Sequence, residues 1–266
     1  MEPAVPVLVM LCCAAAFAAG WRVGGMSLRA GAAGASAALA LIALRVLFRF
    51  LPEWEWPLFR WGFYPAVQLY WAFPAVIFAL GIGARRWSVR AIRPACAAAA
   101  VVFCALAVIG AGASPAAGPT TRTSDGVVLQ SADHTCGPAA AATLLGELGV
   151  PAGEAEMARL CGSAAWLGTT EGALCRALQR KLGPTAFGAA LERPDEDRLC
   201  RYIHPVLARL RAGVLRDHWV VLLAINDRVA ILGDPALGKV EMPAAEFLRV
   251  RRDVAIVVDK AFLLPD

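Results

Sequence analysis

The sequence predicts an α+β protein in two parts: an all-α region of four transmembrane helices, followed by a domain in which helices pack on an antiparallel sheet. Two observations predict this division. Hydrophobic residues make up 59% of the 266-residue chain, more than in ordinary soluble domains, and the apolar runs are concentrated before about residue 114. Beyond that point charged residues are spread normally, and a helical pattern gives way to β-prone runs.

Four apolar runs are long enough to cross a hydrocarbon core of roughly 30 Å. They extend over about Ala4 to Gly20, Ala30 to Leu51, Gly62 to Ala84 and Ala95 to Ala113. No Lys or Arg precedes the first run, which separates it from a signal peptide. We assign residues 1–114 to a membrane region that lies in a lipid bilayer.

The arginines of two short loops predict the orientation of these helices. Arg22 and Arg29 lie between the first two helices, and four more, Arg85, Arg86, Arg90 and Arg93, lie between the last two. Loops rich in arginine stay cytoplasmic, so we expect both chain ends on the extracytoplasmic side of a bacterial inner membrane. The net charge of +5 comes from these arginines and indicates membrane anchoring, not a nucleic-acid partner.

Residues 115–126 are a linker rich in Pro, Gly, Ser and Thr, and residues 127–266 form the second domain. Its predicted helices are Cys136 to Leu148, Ala152 to Cys161, EGALCRALQRKL after an N-cap at Thr169 or Thr170, and PAAEFLRV. Its predicted strands are VVLQ, HWVVLLAI, RVAILGD, KVEM and VAIVVD. Gly149, Gly162 and Gly183 are expected to end the first three helices.

Cys136 lies where a loop turns into a helix. The start of a helix favours a thiolate, because unpaired backbone N–H groups and the helix dipole stabilise negative charge. Gly137 leaves room for a substrate chain, and Pro138 is tolerated in the first turn. Taken alone, Cys136 is equally compatible with a buried structural cysteine.

Three further residues complete a candidate site for nucleophilic catalysis. His218 opens a β-prone run and can exchange a proton, Asp234 can orient its ring, and Gln130 can donate to an oxyanion beside the N–H of Cys136. Two of them have a structural alternative: His218 as a sheet histidine and Gln130 as a polar residue at the edge of a strand. We expect core thiols at Cys161, Cys175 and Cys200. The sequence contains no CxxC pair that would suggest a metal site.

These residues carry a family resemblance. Four segments resemble those of papain-like cysteine peptidases that process bacteriocin leaders after a double glycine. They are Q-x5-C-G-P-A from Gln130, LGTTEGALCRALQRKLG, HPVLARL, and H-W-V-V-L followed by D-P. The resemblance implies a papain-like fold for residues 127–266 and cleavage of a peptide or protein substrate without a metal or cofactor. It implies Cys136 as nucleophile, His218 as base and acid, Asp234 as orienting group and Gln130 as oxyanion donor.

The chain departs from that family's usual arrangement in two ways. Leader-processing domains usually precede an ABC exporter, whereas this domain follows four helices, and Thr135 stands where the family often has an acidic residue. The segment GDPALGKV imitates a phosphate loop, but Val240 replaces the Ser or Thr that binds magnesium, so we expect no ATP binding. A transglutaminase-like enzyme, a peptidoglycan-cleaving enzyme and a non-catalytic leader-binding module stay open as alternatives.

A shared site also requires a particular strand register. If Asn226 and Asp227 formed a two-residue turn, His218 would pair with Pro235 and its side chain would face away from that of Asp234. The catalytic interpretation therefore predicts an odd-length loop near Asn226 or a β-bulge in this hairpin. It also requires Cys136, at the start of its helix, to pack against the face that His218 and Asp234 share, with Gln130 beside it.

Overall fold

The computed structural model describes residues 4–51, 54, 58, 72–87, 91–112, 117–163, 168–183, 185–203, 205–212 and 217–259. The chain divides into two compact units, Met1–Ala113 and Ser114–Asp266. This division lies close to the boundary between the membrane region and the linker that the sequence predicts.

The first unit is helical. Its helices are α1 (Ala4–Gly24), α2 (Leu28–Phe50), α3 (Phe73–Arg86) and α4 (Ile92–Gly112). Three spans, Pro6–Gly24, Leu28–Phe48 and Ile92–Ile109, are long and apolar enough to cross a membrane, judged by length and composition. Large apolar side chains on these spans are exposed, among them Leu11, Leu39 and Val101, as expected of helices that face lipid.

One of the four predicted spans is described only in part. The predicted span from Gly62 to Ala84 lies partly outside the described residues, and its described part is α3, which has 14 residues. The described residues therefore contain three candidate spans and not four.

Arg86 links the ends of three helices in this unit. Its Nη2 atom donates to the carbonyl oxygens of Met26 and Ser27 in the loop between α1 and α2. The guanidinium of Arg85 lies 5.4 Å from the ring centre of Trp21, in the last turn of α1. The two arginine-rich regions thus lie at the same end of the unit, which is what the positive-inside pattern requires of them.

The second unit begins with a short hairpin of β1 (Thr121–Arg122) and β2 (Val128–Leu129). Three helices follow: α5 (Cys136–Glu147), α6 (Glu154–Cys161) and α7 (Glu171–Leu182). The later elements are β3 (Gly188–Glu192), α8 (Glu196–Arg201), β4 (Val206–Arg211), β5 (Asp217–Ile225), β6 (Val229–Asp234), β7 (Gly238–Pro243), α9 (Ala244–Val250) and β8 (Arg251–Asp259). Strands β1, β3 and β4 and helix α8 are not among the elements predicted from the sequence.

Six strands form one antiparallel sheet in the order β3-β8-β4-β5-β6-β7. On one face, side chains of the central strands such as Val220 and Leu222 pack with Leu199 of α8 and Phe247 of α9. On the opposite face lies α5, because a side chain at Gly233 would meet Thr143 of that helix. Helices before an antiparallel sheet give the α+β architecture that the sequence predicts.

Several local signals act as predicted. Thr170 caps α7 by accepting a hydrogen bond from the N–H of Ala173 at 3.4 Å, and Gly162 ends α6 in the left-handed conformation, with φ of 59°. Cys161 and Cys175 are buried, and burial raises the pKa of both thiols. Cys200 differs from expectation, because it is exposed on α8. His204 lies outside the described residues.

Candidate active site

Helix α5 begins at Cys136, as the sequence predicts, and is buried from Gly137 to Leu145. A run of four alanines, Ala139 to Ala142, allows this close packing because each side chain adds a single methyl group. Cys136 itself is partly exposed. It therefore presents a thiol at the accessible end of an otherwise buried helix.

Gly137 has a different role from the predicted one. A Cβ atom at this position would lie 3.2 Å from Cβ of Thr169 and 3.2 Å from Cδ1 of Trp219. The indole of Trp219 also donates from Nε1 to the carbonyl oxygen of Thr169 at 3.4 Å. The absent side chain of Gly137 thus makes room for the protein's own Trp219 and Thr169, where the sequence suggested room for a substrate.

The loop before Cys136 is closed by Thr135. This fully buried residue donates from its hydroxyl to the carbonyl oxygen of Ala132 at 2.8 Å and accepts the N–H of Ala132 at 3.2 Å. Its own N–H bonds to the same carbonyl at 3.1 Å. Thr135, noted in the sequence only as a departure from a family pattern, therefore fixes the turn that leads into Cys136.

His218 and Asp234 are in direct contact. The Nε2 atom of His218 lies 2.8 Å from Oδ1 of Asp234. The same Oδ1 accepts the N–H of Ala236 at 2.7 Å, and the N–H of Leu237 bonds to the Asp234 carbonyl at 3.2 Å. Asp234 followed by Pro235 is a preferred start for such a turn, so the sequence D-P fixes the carboxylate beside the ring.

The pKa of the His218 imidazole is strongly raised. Its hydrogen bond with Asp234, and next its hydrogen bond with the Cys136 thiol, raise the pKa of His218 from 6.5 to about 9, against the opposing effect of burial. Since Nε2 faces Asp234, Nδ1 is the ring nitrogen left to face the thiol. The ring thus lies between a carboxylate and a thiol and is stabilised in its charged form.

Asp234 responds in the complementary direction. Burial alone would raise the pKa of its carboxyl, but the hydrogen bond from His218, the N–H of Ala236 and the charge of the ring bring that pKa below its ordinary value. The carboxylate is therefore ionised at neutral pH. A charged acceptor at this position stabilises the imidazolium and fixes the orientation of the ring.

A β-bulge provides the required register. Val221 pairs with Gly233 and Leu222 with Leu232, but the next pair is Ala224 with Ile231, so Leu223 is an extra residue in β5. Because of this insertion, His218 and Asp234 fall on the same side in the alternation of the two strands. The catalytic interpretation required either a bulge or an odd-length loop, and the bulge meets that requirement.

His218 also lies where a thiol from α5 can reach it. The last pair between β5 and β6 joins Val221 to Gly233, so the start of β5 extends beyond the paired part of β6. The sequence required the helix of Cys136 to pack on the face of His218 and Asp234, but the body of α5 packs on the opposite face, that of Val221 and Gly233. Its first residue, Cys136, lies near enough to His218 to raise the pKa of the ring.

Gln130 is connected to the same turn as Asp234. Its backbone N–H donates to the carbonyl oxygen of Pro235 at 2.8 Å. The residue is half-buried, and the Oε1 atom of its side chain is buried. The predicted site residues Gln130 and Asp234 are thus held next to each other in the fold by a backbone contact.

A buried ionic network supports the site, and the sequence interpretation missed it. Arg209 of β4 pairs with Glu171, the first residue of α7, and its Nε lies 3.5 Å from Oδ2 of Asp217. Asp217 also accepts from Arg252 of β8 at 2.8 Å. Because Asp217 precedes His218, the network fixes the start of β5 against α7. No local sequence pattern identifies partners so far apart along the chain.

The segment that imitates a phosphate loop has a different structure. Gly233 and Asp234 end β6, Pro235 to Leu237 form a turn, and Gly238 begins β7. A phosphate loop joins a strand to a helix, whereas this segment joins two strands of a hairpin. Its glycine at 238 has φ of 88°, a backbone conformation that favours glycine.

Comparison with known proteins now decides the family. A family model described as the Peptidase C39 family matches residues 124–262, just over half of the chain. The chain belongs to the Peptidase C39 family. It is a cysteine peptidase, as the sequence predicts, and the family match covers every one of the four predicted site residues.

Two relatives of this C39 peptidase come from species of Methanothermobacter, and both are described as uncharacterized proteins. The relative in Methanothermobacter marburgensis is 39% identical over 128 residues, which cover 48% of this chain and 78% of the relative. The relative in Methanothermobacter thermautotrophicus is 35% identical over 134 residues, which cover 50% of this chain and 88% of the relative.

Solved structures with some likeness include two peptidase domains. One is a double glycine motif protease from an AMS/PCAT transporter in complex with the leader peptide, with 22% identity, a TM-score of 0.44, and coverage of 53% of this chain and 96% of that chain. Another is the peptidase domain of Streptococcus ComA, a bi-functional ABC transporter, with 24% identity, a TM-score of 0.43, and coverage of 49% and 94%.

Proposed function

We propose that this C39 peptidase is membrane-anchored and hydrolyses peptide bonds of a peptide or protein substrate through a triad of Cys136, His218 and Asp234. One observation carries the proposal. The His218 ring contacts the Asp234 carboxylate at 2.8 Å through Nε2, and the Cys136 thiol also contributes to the raised pKa of that ring. A thiol, a ring and a carboxylate in that order are what nucleophilic catalysis by cysteine needs.

In the first half of the reaction, the proton of the Cys136 thiol moves to His218, and the sulfur attacks the carbonyl carbon of the substrate. A carbon–sulfur bond forms, and the carbonyl oxygen becomes an oxyanion. When the intermediate collapses, His218 gives its proton to the leaving nitrogen and the carbon–nitrogen bond breaks. The raised pKa of His218 supports this step, because the ring holds the proton until the amine needs it.

In the second half, His218 takes a proton from a water molecule, whose oxygen attacks the thioester carbon. The carbon–sulfur bond breaks, the acid product leaves, and the proton returns to Cys136. Asp234 keeps its charge through both halves and orients the ring, which its depressed pKa supports. Gln130, in this proposal, donates its side-chain amide to the oxyanion beside the backbone N–H of Cys136.

The substrate class in this proposal is a leader peptide that ends in a double glycine. The support is the resemblance of the segments around Gln130, Cys136, His218 and Asp234 to peptidases that cleave such leaders. The three candidate spans support anchoring in a membrane. The arginine distribution of the short loops supports a peptidase domain on the extracytoplasmic side.

A cleavage assay on the full-length protein in detergent tests the proposal. The substrate is a fluorogenic peptide with Gly-Gly before the cleaved bond, and the matched variants are Cys136→Ser and Cys200→Ser. Cys136→Ser should abolish cleavage, because a hydroxyl is far harder to ionise than a thiol. Cys200→Ser should cleave at the wild-type rate, since that thiol is exposed on α8.

Three results would contradict the proposal. Wild-type cleavage by Cys136→Ser would exclude the nucleophile. Turnover of muropeptides or transfer to amine acceptors, without hydrolysis of the peptide, would indicate a peptidoglycan-cleaving or transglutaminase-like enzyme. Tight binding of the peptide by a wild-type protein that never cleaves it would indicate a leader-binding module.

A further inference from the structure

A fully buried carboxylate outside the triad holds the loop that leads to Cys136. Glu154 is 0% exposed and is the first residue of α6. Its Oε1 accepts hydrogen bonds from the backbone N–H of Ser131 at 2.8 Å and from the Ser131 hydroxyl at 2.9 Å. Charged acceptors make short, strong hydrogen bonds, so Glu154 fixes both the backbone and the side chain of Ser131.

Ser131 directly follows Gln130, and the two residues are held from opposite directions. The N–H of Gln130 bonds to the carbonyl of Pro235, next to Asp234, at 2.8 Å. The next N–H along the chain bonds to Glu154. The peptide unit between Gln130 and Ser131 is thus fixed between the turn that carries Asp234 and the start of α6.

The incoming segment of the domain completes this arrangement. The Ser131 hydroxyl oxygen accepts the N–H of Gly118 at 2.7 Å, and the N–H of Glu154 donates to Oγ1 of Thr120 at 3.0 Å. Ser131 and Glu154 are therefore each bonded to a third segment as well as to each other. A loop held in this way loses little entropy when a substrate arrives.

Packing alone does not explain why a carboxylate is buried at Glu154. Burial of a carboxylate is unfavourable unless other groups compensate it, and its Oε2 has no hydrogen-bond partner among the described residues. The N-terminus of α6 offsets part of that cost. An apolar side chain would fill the same space without that cost. The contribution of Glu154 therefore lies in its hydrogen bonds to Ser131.

We propose that Glu154 is a positioning residue for the oxyanion site of this peptidase. Through Ser131 it sets the place of the Gln130 side-chain amide relative to the backbone N–H of Cys136. The inference rests on the proposed role of Gln130 as oxyanion donor. Loss of Glu154 should therefore weaken stabilisation of the oxyanion and leave the reactivity of the Cys136 thiol unchanged.

Two reagents separate these effects in the full-length protein. Iodoacetamide alkylates Cys136 without forming an oxyanion. A peptide aldehyde ending in Gly-Gly adds the Cys136 sulfur to its carbonyl carbon, while the thiol proton passes through His218 to the carbonyl oxygen, which then occupies the oxyanion site. The variants are Gln130→Ala, Glu154→Gln and Ser131→Ala, each in a Cys200→Ser background. The matched control is Glu156→Gln, the same change two residues further along α6, where the carboxylate pairs with Lys181.

Loss of an oxyanion donor lowers kcat by roughly 100-fold to 1000-fold, and we expect about tenfold from a donor that is only loosened. Glu154→Gln should lower kcat and weaken aldehyde inhibition by that factor, with KM and the alkylation rate unchanged. Ser131→Ala should act in the same direction and Glu156→Gln should have no effect. In the Gln130→Ala background, Glu154→Gln should cause no further loss, because both changes affect one interaction.

The opposite results overturn the inference in distinguishable ways. If Gln130→Ala leaves kcat unchanged, the oxyanion role of Gln130 fails and Glu154 has nothing to position. If Gln130→Ala is impaired but Glu154→Gln and Ser131→Ala are not, only the role of Glu154 fails. If Glu154→Gln slows alkylation as much as catalysis, or does not fold while Ser131→Ala folds and is unimpaired, Glu154 is merely structural.

Discussion

His218 and Asp234 meet at 2.8 Å although a regular hairpin between their strands would turn them to opposite faces. The contact depends on Leu223, the extra residue that β5 inserts between the pairs Leu222 with Leu232 and Ala224 with Ile231. Beyond the bulge, the hairpin closes through the N–H of Asn226, which bonds to the carbonyl of Val229 at 3.0 Å. The one extra residue in β5 thus determines whether the His218 ring can contact the Asp234 carboxylate.

Deletion of Leu223 should abolish peptidase activity and lower the stability of the sheet, because the core side chains Val220 and Leu222 change face together with His218. Without the extra residue the register of the whole hairpin becomes continuous, and His218 turns away from Asp234. We expect a loss of at least about 100-fold in kcat/KM, the lower range for removal of general acid–base catalysis. The measurement is peptide cleavage by the deletion variant, with circular dichroism to follow the sheet.

Leu223→Ala is the control for this deletion, because it keeps the length of β5 and removes most of the side chain. This variant should retain the bulge and most of the activity. A deletion variant as active as the wild type would mean that the bulge does not determine the contact between His218 and Asp234.

The alkaline limit of activity should report the His218 ring. Its pKa is raised to about 9, so kcat/KM should fall as pH rises through that value and the ring loses the proton it must donate. In Asp234→Asn the strongest contribution to the raised pKa is removed, and the limit should move down by more than about one pH unit. A pH profile of kcat/KM for both proteins checks this, and an unmoved limit would contradict it.

The raised pKa of His218 also makes the free energy of unfolding depend on pH in a defined direction. A ring whose pKa is higher in the folded protein than its ordinary 6.5 stabilises the fold fully below pH 6.5 and loses that contribution as pH rises toward 9. The loss is roughly 3 kcal/mol at most. Thermal unfolding between these pH values should show a falling melting temperature for the wild type and a smaller fall for His218→Gln. Equal slopes for the two proteins would exclude the linkage.

Local chemistry made much of this site predictable from sequence. Cys136 at the start of a helix, the D-P turn at Asp234 and the N-cap near Thr170 are each encoded within a few residues, and the structure has all three. The parity argument also predicted that a bulge or an odd loop must separate His218 from Asp234. It could not say which, because a bulge at Leu223 leaves no distinct pattern in a run such as HWVVLLAI.

Features that depend on distant partners could not be predicted. Strand β3 contains Gly188 and two alanines and is defined by its pairing with β8, not by its own alternation. Glu154, Thr135 and Arg209 look like ordinary polar residues of helices, loops and strands until the fold brings their partners to them. The close approach of Trp219 to Gly137 could not be predicted for the same reason, since Trp219 lies far away in the sequence.

The pair of Arg209 and Glu171 should be costly to break on one side. Arg209 is 5% exposed and Glu171 3% exposed, so Arg209→Met leaves a buried carboxylate and should destabilise the protein by about 3–5 kcal/mol. Arg209→Met together with Glu171→Gln should be less destabilised than the single change. Thermal unfolding of the full-length protein in detergent measures both.

Arg249→Met is the control for this pair, because Arg249 lies 3.9 Å from Glu246 in an exposed position. Its loss should cost less than about 1 kcal/mol. If Arg209→Met is as mild as this control, the buried network is not what fixes the start of β5 against α7.

Cys200 provides a natural probe for the side of the membrane on which the peptidase domain lies. Its thiol is exposed on α8, and the arginines of the short loops favour an extracytoplasmic position for this domain. In a Cys136→Ala background, a membrane-impermeant maleimide should label Cys200 on intact cells, and Cys136→Ala with Cys200→Ser should remove the signal.

Arg29→Cys, added to that double variant, places a thiol near the start of α2 and should react only after the membrane is opened. Because Arg86 holds the loop before α2, both arginine-rich regions should be protected together. The reverse pattern, with Cys200 protected and position 29 labelled, would place the substrate of this peptidase in the cytoplasm.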